Sequence, residues 1–383
     1  MRITLDELRR YAAGRTFFPP TTLKRALGRM GFVQADPIRA PARAQDLILR
    51  HRVEGYRAGD LERRYRELGV EEDFFLTYGF VTRPLQALMH PRSDSGVPAD
   101  SPTPWPADRS RRARLLLAFV RRRGEVHPRE VDRHFSHGRV RNYWGGSSSA
   151  TTHLLEAMHY RGWLRVARRE GGVRVYTAHR HAKGAAGAVE RRRRIDALVD
   201  AAVGIYAPLP ARSLASLVRR LRFAVPQWRG ELPDAQKRAA ERLAHARVEG
   251  VDWYWPGSED PARNAPQDEV RLLTPFDPVV HDRDRFEILW GWIYRFEAYT
   301  PAPRRKLGYY ALPLLWRDRV IGWGNCSVEA GRLQSRIGYV GSPPRDRVFH
   351  RSLERELDRL RSFLGVAEKG AEPRPGRPLQ GRR

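Results

Sequence analysis

The sequence predicts an α+β protein built of three tandem winged-helix units, followed by a β-rich C-terminal segment and a closing helix. Three observations carry that expectation. Groups of helical periodicity give way repeatedly to short alternating strands, the order of the winged variant of the helix-turn-helix. Segments rich in Pro, Gly, Ser and other small residues separate these groups. The chain also carries 71 basic against 44 acidic residues, a net charge of +27, as expected of a scaffold that faces a polyanion.

The first unit is expected over residues 1–90. Thr4 and Glu7 have the spacing of a capping box ahead of Leu5, Leu8 and Tyr11, so a helix starts there. A second helix follows Pro19-Pro20, is capped by Thr21 or Thr22, and stops at Gly31. Further helices are expected near 43–52 and 60–68, then an aromatic strand over 74–80. Residues 91–108 lack any apolar period and read as a linker.

The clearest winged helix is expected over 109–180. Helices near 111–123 (over Leu115, Leu116, Phe119 and Val120), 128–135 and 148–161 precede a hairpin of strands 163–169 and 173–177. The last of these helices would read DNA and the hairpin would form the wing. A third unit is expected over 189–275, with its hairpin formed from strands 251–255 and 270–274. Residues 276–364 alternate as strands near 293–299, 309–316, 320–328 and 332–339, then close in a helix over 346–364. Tyr309, Tyr310, Trp316 and Trp323 fall in these strands and read as core. Residues 365–383 read as a basic disordered tail.

Composition narrows the function. No apolar run approaches the length of a bilayer span, and the first residues enter a helical pattern with no signal-peptide core, so a cytoplasmic protein with no membrane partner is expected. The single cysteine, Cys326, leaves no disulfide framework and no cysteine-based zinc cluster. We expect no metal and no cofactor. Only five lysines are present, Lys24, Lys183, Lys237, Lys306 and Lys369, so nearly all the positive charge is arginine. Its planar guanidinium suits phosphates and groove edges.

One short stretch carries candidate chemistry: Gln34-Ala35-Asp36-Pro37. Proline pushes Asp36 out of the helical region, and residues two apart in an extended chain share a face, so Gln34 and Asp36 would point together. Two readings stay open on spacing alone. The pair is catalytic, or Asp36 is a helix cap or an Asx turn. For DNA contacts, Arg39 and Arg43 flank this stretch. Arg141, Tyr143 and Trp144 lie just before the reading helix, and Arg168, Arg169 and Arg174 lie on the wing. In Leu273-Thr274-Pro275-Phe276-Asp277-Pro278, Asp277 is read as a structural turn residue.

Several motifs, in order, resemble the AlkZ/YcaQ helix-turn-helix DNA glycosylases. They are Gly31-Phe32-Val33-Gln34-Ala35-Asp36-Pro37-Ile38, Ala42-Arg43-Ala44-Gln45-Asp46, Tyr143-Trp144-Gly145, Glu156-Ala157-Met158-His159-Tyr160-Arg161-Gly162, Thr274-Pro275-Phe276-Asp277-Pro278 with Asp282-Arg283, and Gly308-Tyr309-Tyr310-Ala311-Leu312-Pro313. The resemblance implies three winged helices embracing duplex DNA and hydrolysis of the N-glycosidic bond of N7-alkylated guanine. Interstrand crosslinks are substrates of some members. It implies that Gln34 and Asp36 are the catalytic pair of the Gln-x-Asp branch. One departure is visible: where many members of that branch carry a Tyr-Trp-Ala-His-type sequence, this chain has Thr77-Tyr78-Gly79-Phe80. With Lys24 the one lysine near the motif in sequence, a monofunctional glycosylase is expected; a monomer acting on duplex DNA is expected as well. The alternative from another class is a non-catalytic winged-helix DNA-binding protein such as a regulator; an RNA-binding accessory protein is a third.

Overall fold

The structure is a computed structural model that describes residues 3–92, 106–135, 138–141, 147–179, 187–366 and 374–375. It divides into two compact units. One gathers residues 1–61, 200–216 and 239–383, and the other 62–199 and 217–238. Both are assembled from separate stretches of chain.

Helices α1 (Leu5–Thr16) and α2 (Leu23–Met30) start and stop where their caps dictate. Glu7 N donates to Thr4 Oγ1 at 3.2 Å and Thr4 N donates back to the Glu7 carboxylate at 2.7 Å, the reciprocal box. Gly31 ends α2 at φ 70°, a backbone region that costs a residue with a Cβ. The chain then enters a short strand, β1 (Phe32–Gln34). After an irregular stretch come α3 (Ala44–Leu49), buried along its whole length, and α4 (Asp60–Arg63).

Next comes a hairpin, β2 (Val70–Phe74) and β3 (Tyr78–Thr82), in place of the single strand expected over 74–80. The chain reverses at Phe75, whose amide donates to the Thr77 carbonyl at 3.1 Å. The first strand was hidden by its composition, because Glu71, Glu72 and Asp73 are buried acids. A helix, α5 (Arg83–Met89), follows.

From α6 (Ala107–Arg123) the elements run β4 (Glu125–Val126), α7 (Pro128–Phe135), a small hairpin β5 (Arg139–Arg141) and β6 (Ser147–Ser149), α8 (Ala150–Tyr160), then β7 (Leu164–Glu170) and β8 (Val173–Ala178). Strands β4, β8 and β7 form one sheet in that order. The expected helices and hairpin are present here. Leu115 is the exception, since it is exposed while Ala113, Leu116, Phe119 and Val120 are buried.

The pattern recurs with α9 (Ala188–Tyr206), β9 (Leu209–Pro210), α10 (Ala211–Arg220), α11 (Leu232–Arg242), β10 (Ala244–Val248) and β11 (Val251–Trp255). Its sheet order, β9–β11–β10, repeats the connectivity of β4–β8–β7. The hairpin differs from the expected one. Strand β11 pairs with β10, residues 244–248, across a tight turn with positive φ at both Glu249 and Gly250. Such a two-residue turn matches the twist of the flanking strands.

The partner expected for β11, β12 (Val270–Leu272), belongs elsewhere. It edges a five-stranded sheet with β13 (Leu312–Trp316), β14 (Arg319–Glu329), β15 (Arg332–Tyr339) and β16 (Arg374–Pro375). Thus two residues of the segment read as a tail pair in parallel with β15. The rest of 367–383 lies outside the described residues. Between β12 and β13 lie α12 (Arg283–Trp290), capped by Asp282, and a long irregular loop. That loop replaces the strand expected over 293–299. The closing helix α13 (Arg347–Leu364) packs on β12, where Ser352 and Glu356 accept from the Val270 and Leu272 amides, each at 2.8 Å.

Candidate active site

Asp36 lies two residues beyond the end of β1, and no helix begins there. Its Oδ1 accepts from the Ile38 amide at 2.9 Å. The Asx-turn reading is therefore realised and the helix-cap reading is not. An Asx turn does not consume a carboxylate, because one oxygen remains available. The Asp36 amide leans toward Gln45 Oε1 at 3.4 Å. Gln45 sits in the first turn of buried α3, so the Ala42-Arg43-Ala44-Gln45-Asp46 motif helps to place Asp36. Beside it Asp46 accepts from the Tyr56 hydroxyl at 2.7 Å and from the Gly59 amide at 3.0 Å.

Two features set this pair apart from an ordinary surface turn. Burial raises the Asp36 carboxyl above its ordinary value, against the opposing pull of the Ile38 amide. Gln34, two residues earlier, is half-buried, and its Oε1 is fully buried with no hydrogen-bond partner among the described residues. A buried acceptor left unmatched costs about 1–3 kcal/mol, and such costs gather at functional sites.

The long loop after α12 carries aromatic rings, two of which feel the charge of Asp36. The Tyr299 and Tyr310 phenols are both raised, first by burial and then by the Asp36 charge. Phe296 lies at the centre of the group. Its ring meets Phe276 at 5.3 Å, Tyr310 at 5.2 Å and Tyr299 at 6.1 Å between centroids, each edge to face. Tyr310 is buried, and its hydroxyl lies 3.1 Å from Thr274 Oγ1. Tyr309 and Tyr299 are not core residues, being 44% and 66% exposed. The core reading therefore holds for Tyr310, Trp316 and Trp323 but not for Tyr309.

A single carboxylate shapes the loop. Glu297, itself buried, accepts from the amides of Lys306, Leu307 and Gly308 at 2.8–3.2 Å. Tyr294 Oη donates to the Ala311 carbonyl and Asn325 Nδ2 to the Leu307 carbonyl, both at 2.7 Å. Below it Val279, Phe286, Trp292, Tyr294, Leu307 and Trp323 share one apolar cluster. Asp277 is structural, as the sequence suggested: fully buried, it takes both forks of buried Arg52 at 2.8 and 3.1 Å and the Val279 amide at 3.1 Å.

The expected DNA contacts divide. Arg39 is exposed and Arg43 is half-buried just ahead of α3. Arg141 is on β5, while Tyr143 and Trp144 lie outside the described residues. On the β7–β8 hairpin, Arg168 is partly exposed and pairs with Glu125 and Glu170. Arg169 is committed to the interior. It donates through Nε and Nη2 to the two oxygens of buried Glu72 at 2.7 and 2.6 Å. Arg174 lies over the Tyr78 ring at 4.4 Å and pairs with Glu156 at 3.3 Å. Burial alone would raise the Glu72 carboxyl, but these two arginines hold it below its ordinary value. Arg169 and Arg174 thus both take part in an ion cluster around buried Glu72. Phe80 is 1% exposed and packs on Tyr65, so the position that departs from the relatives' pattern faces the core.

A family model described as DNA glycosylase AlkZ-like matches residues 27–363, which defines the class of protein as a glycosylase acting on DNA. The chain belongs to this AlkZ-like DNA glycosylase family. Its fold is similar to that of the Streptomyces sahachiroi DNA glycosylase AlkZ, with a TM-score of 0.61 at 18% sequence identity. The match covers 98% of this chain and 100% of the other.

Proposed function

We propose that the protein hydrolyses the N-glycosidic bond of N7-alkylated guanine in duplex DNA as a monofunctional, monomeric glycosylase, and that crosslinks joined through guanine N7 fall within its range. The observation that carries this reading is the desolvated Asp36 carboxyl two residues from the buried, unmatched oxygen of Gln34. Alkylation at N7 makes the base cationic. When C1′–N9 breaks, the bonding pair leaves with the base and neutralises it, so no acid is required. Positive charge then develops on the sugar, where a preorganised carboxylate stabilises it. Water attacks C1′, and Asp36 takes its proton as general base. Gln34 Oε1 accepts the water's other hydrogen and fixes its approach.

Repetition of one strand connectivity in two sheets supports reading the scaffold as tandem winged helices, three with the N-terminal segment. Arg39, Arg43, Arg141, Tyr143, Trp144 and Arg168 are the proposed contacts to DNA, with Arg169 and Arg174 on the same hairpin as Arg168. A Schiff-base route would need an amine. Lys24 is exposed on α2, and Lys306, a second candidate, lies in the aromatic loop. Borohydride trapping separates the routes: no covalent adduct is expected, and an adduct lost in Lys306→Met would overturn the monofunctional reading.

The decisive assay is single-turnover release of N7-methylguanine from an oligonucleotide duplex. Asp36→Asn should slow release by about 10²–10³-fold, the typical loss for one stabilising group, with a smaller loss for Gln34→Ala. Release at the wild-type rate by both variants would refute the assignment.

A further inference from the structure

The loop between α12 and β13 has a second feature, outside the hydrolytic step: four cations on one short stretch, with one arginine among them held in a fixed pose. From 291 to 311 the charged residues are Arg295, Arg304, Arg305, Lys306 and a single acid, Glu297. Glu297 is buried and engaged with the amides of Lys306, Leu307 and Gly308. Arg295, Arg304 and Lys306 are exposed and Arg305 is half-buried, and none of the four forms an ion pair among the described residues. Like charges gathered without counter-acids repel one another, so such a surface suits a polyanion.

Arg305 is set apart by how it is held. Pro301 and Pro303 fix their own φ, the short turn Ala302–Arg304 brings the chain round, and the Arg305 amide closes on the Ala302 carbonyl at 3.3 Å. Arg305 Nε donates to the Thr300 carbonyl at 2.8 Å, and the guanidinium lies 5.0 Å over the Tyr309 ring. Its two terminal nitrogens have no hydrogen-bond partner among the described residues. A guanidinium fixed at Nε and across one face still offers that planar fork, which matches the oxygens of a phosphate. We infer that Arg305 contacts a phosphate of the DNA backbone and is preorganised for it by Thr300 and Tyr309, with Tyr309 a positioning residue that acts through Arg305. Holding the side chain beforehand removes the ordering cost that a loose arginine meets on contact. The neighbouring Arg304 carries the same charge without that hold. The inference rests on DNA as the partner of this family and on no particular lesion.

The test is the salt dependence of the full chain's affinity for an unmodified oligonucleotide duplex, read by fluorescence anisotropy. Each phosphate neutralised adds about 0.9 to the slope of log affinity against log salt. Arg305→Ala should flatten the slope by about that amount, and Arg304→Ala by less than half of it. Arg305→Lys and Tyr309→Ala keep the charge but lose the hold. Each should retain the slope and weaken binding about two- to fivefold, the range for one exposed cation–π contact, while Tyr309→Phe stays close to the wild-type affinity. An unchanged slope in Arg305→Ala, or an equal flattening in Arg304→Ala, overturns the preorganised contact, and so does wild-type affinity in Tyr309→Ala. Release of N7-methylguanine is measured beside it, so the two readings fail separately. Base release by wild type with an unchanged slope in Arg305→Ala removes the phosphate contact alone. A flattened slope in Arg305→Ala with no release by wild type removes the hydrolytic reading alone.

Discussion

Glu297 is the residue whose removal tests most directly whether the site depends on a tied-down loop. Its carboxylate takes three consecutive amides, those of Lys306, Leu307 and Gly308, at 2.8–3.2 Å. Hydrogen bonds to a charged group contribute about 1.5–3 kcal/mol each, so three would sum to roughly 4.5–9 if none could be replaced. Lys306 is exposed and Gly308 half-exposed, and their amides can turn to water. Leu307 is 7% exposed and must give up its partner. Glu297→Ala should therefore cost about 2–4 kcal/mol, most of it from that one buried amide. Glu297→Gln keeps an acceptor oxygen and should cost about half as much. Urea denaturation followed by tryptophan fluorescence gives the global value, and hydrogen exchange at the Leu307 amide gives the local one. Base release should fall with stability, because Tyr299, Tyr309 and Tyr310 ride on the same loop. A Glu297→Ala protein within 0.5 kcal/mol of wild type, with the Leu307 amide still protected, would show that the loop is held by its apolar underside instead.

Further outcomes follow from other parts of the structure. Gly308 has φ 121°, and a Cβ there would stand 2.3 Å from Asn325 Oδ1, whose side chain is anchored to the Leu307 carbonyl. Gly308→Ala should thus destabilise by about 2–4 kcal/mol in thermal or urea unfolding; a neutral result would mean that Asn325 moves aside freely. Arg169→Ala leaves the Glu72 carboxylate short of its main partner and should cost about 3–5 kcal/mol. The salt dependence of DNA affinity should not change, and a flatter slope would return Arg169 to the DNA surface. The Asp36 carboxyl is raised by burial, so base release should climb with pH through a value above the ordinary carboxylate range. A limb at or below that range counts against Asp36 as the ionised group. The same shift has an opposite sign for stability: the folded state binds the proton more tightly, so ionising Asp36 as pH rises weakens the fold. Asp36→Asn should accordingly be at least as stable as wild type near neutral pH while losing activity.

What was legible in the sequence is what local chemistry fixes. The Thr4–Glu7 box, the stop at Gly31 and the hairpin of strands near 163–169 and 173–177 are each decided within a few residues, and each stands where expected. Asp36 was legible as a residue held by Pro37, but the choice between cap and turn depended on whether a helix could start there, and the Ile38 amide answers it. The failures have a common cause. Strand β2 looked polar because its acids are neutralised by arginines far along the chain, Glu72 by Arg169 and Asp73 by Arg92. A residue alternation that pairs with nothing is not a strand, and the run before Tyr299 alternates only by coincidence. Pro301 and Pro303, which cannot donate to a ladder, were the available sign that it is a loop. A loop of that length needs an internal tie, and Glu297 supplies it from a position no periodicity marks. The proposed pair, Gln34 and Asp36, thus stood out within four consecutive residues once the resemblance was added, whereas the aromatic loop takes shape only when a carboxylate, three amides and a wedge of rings are brought together by the fold.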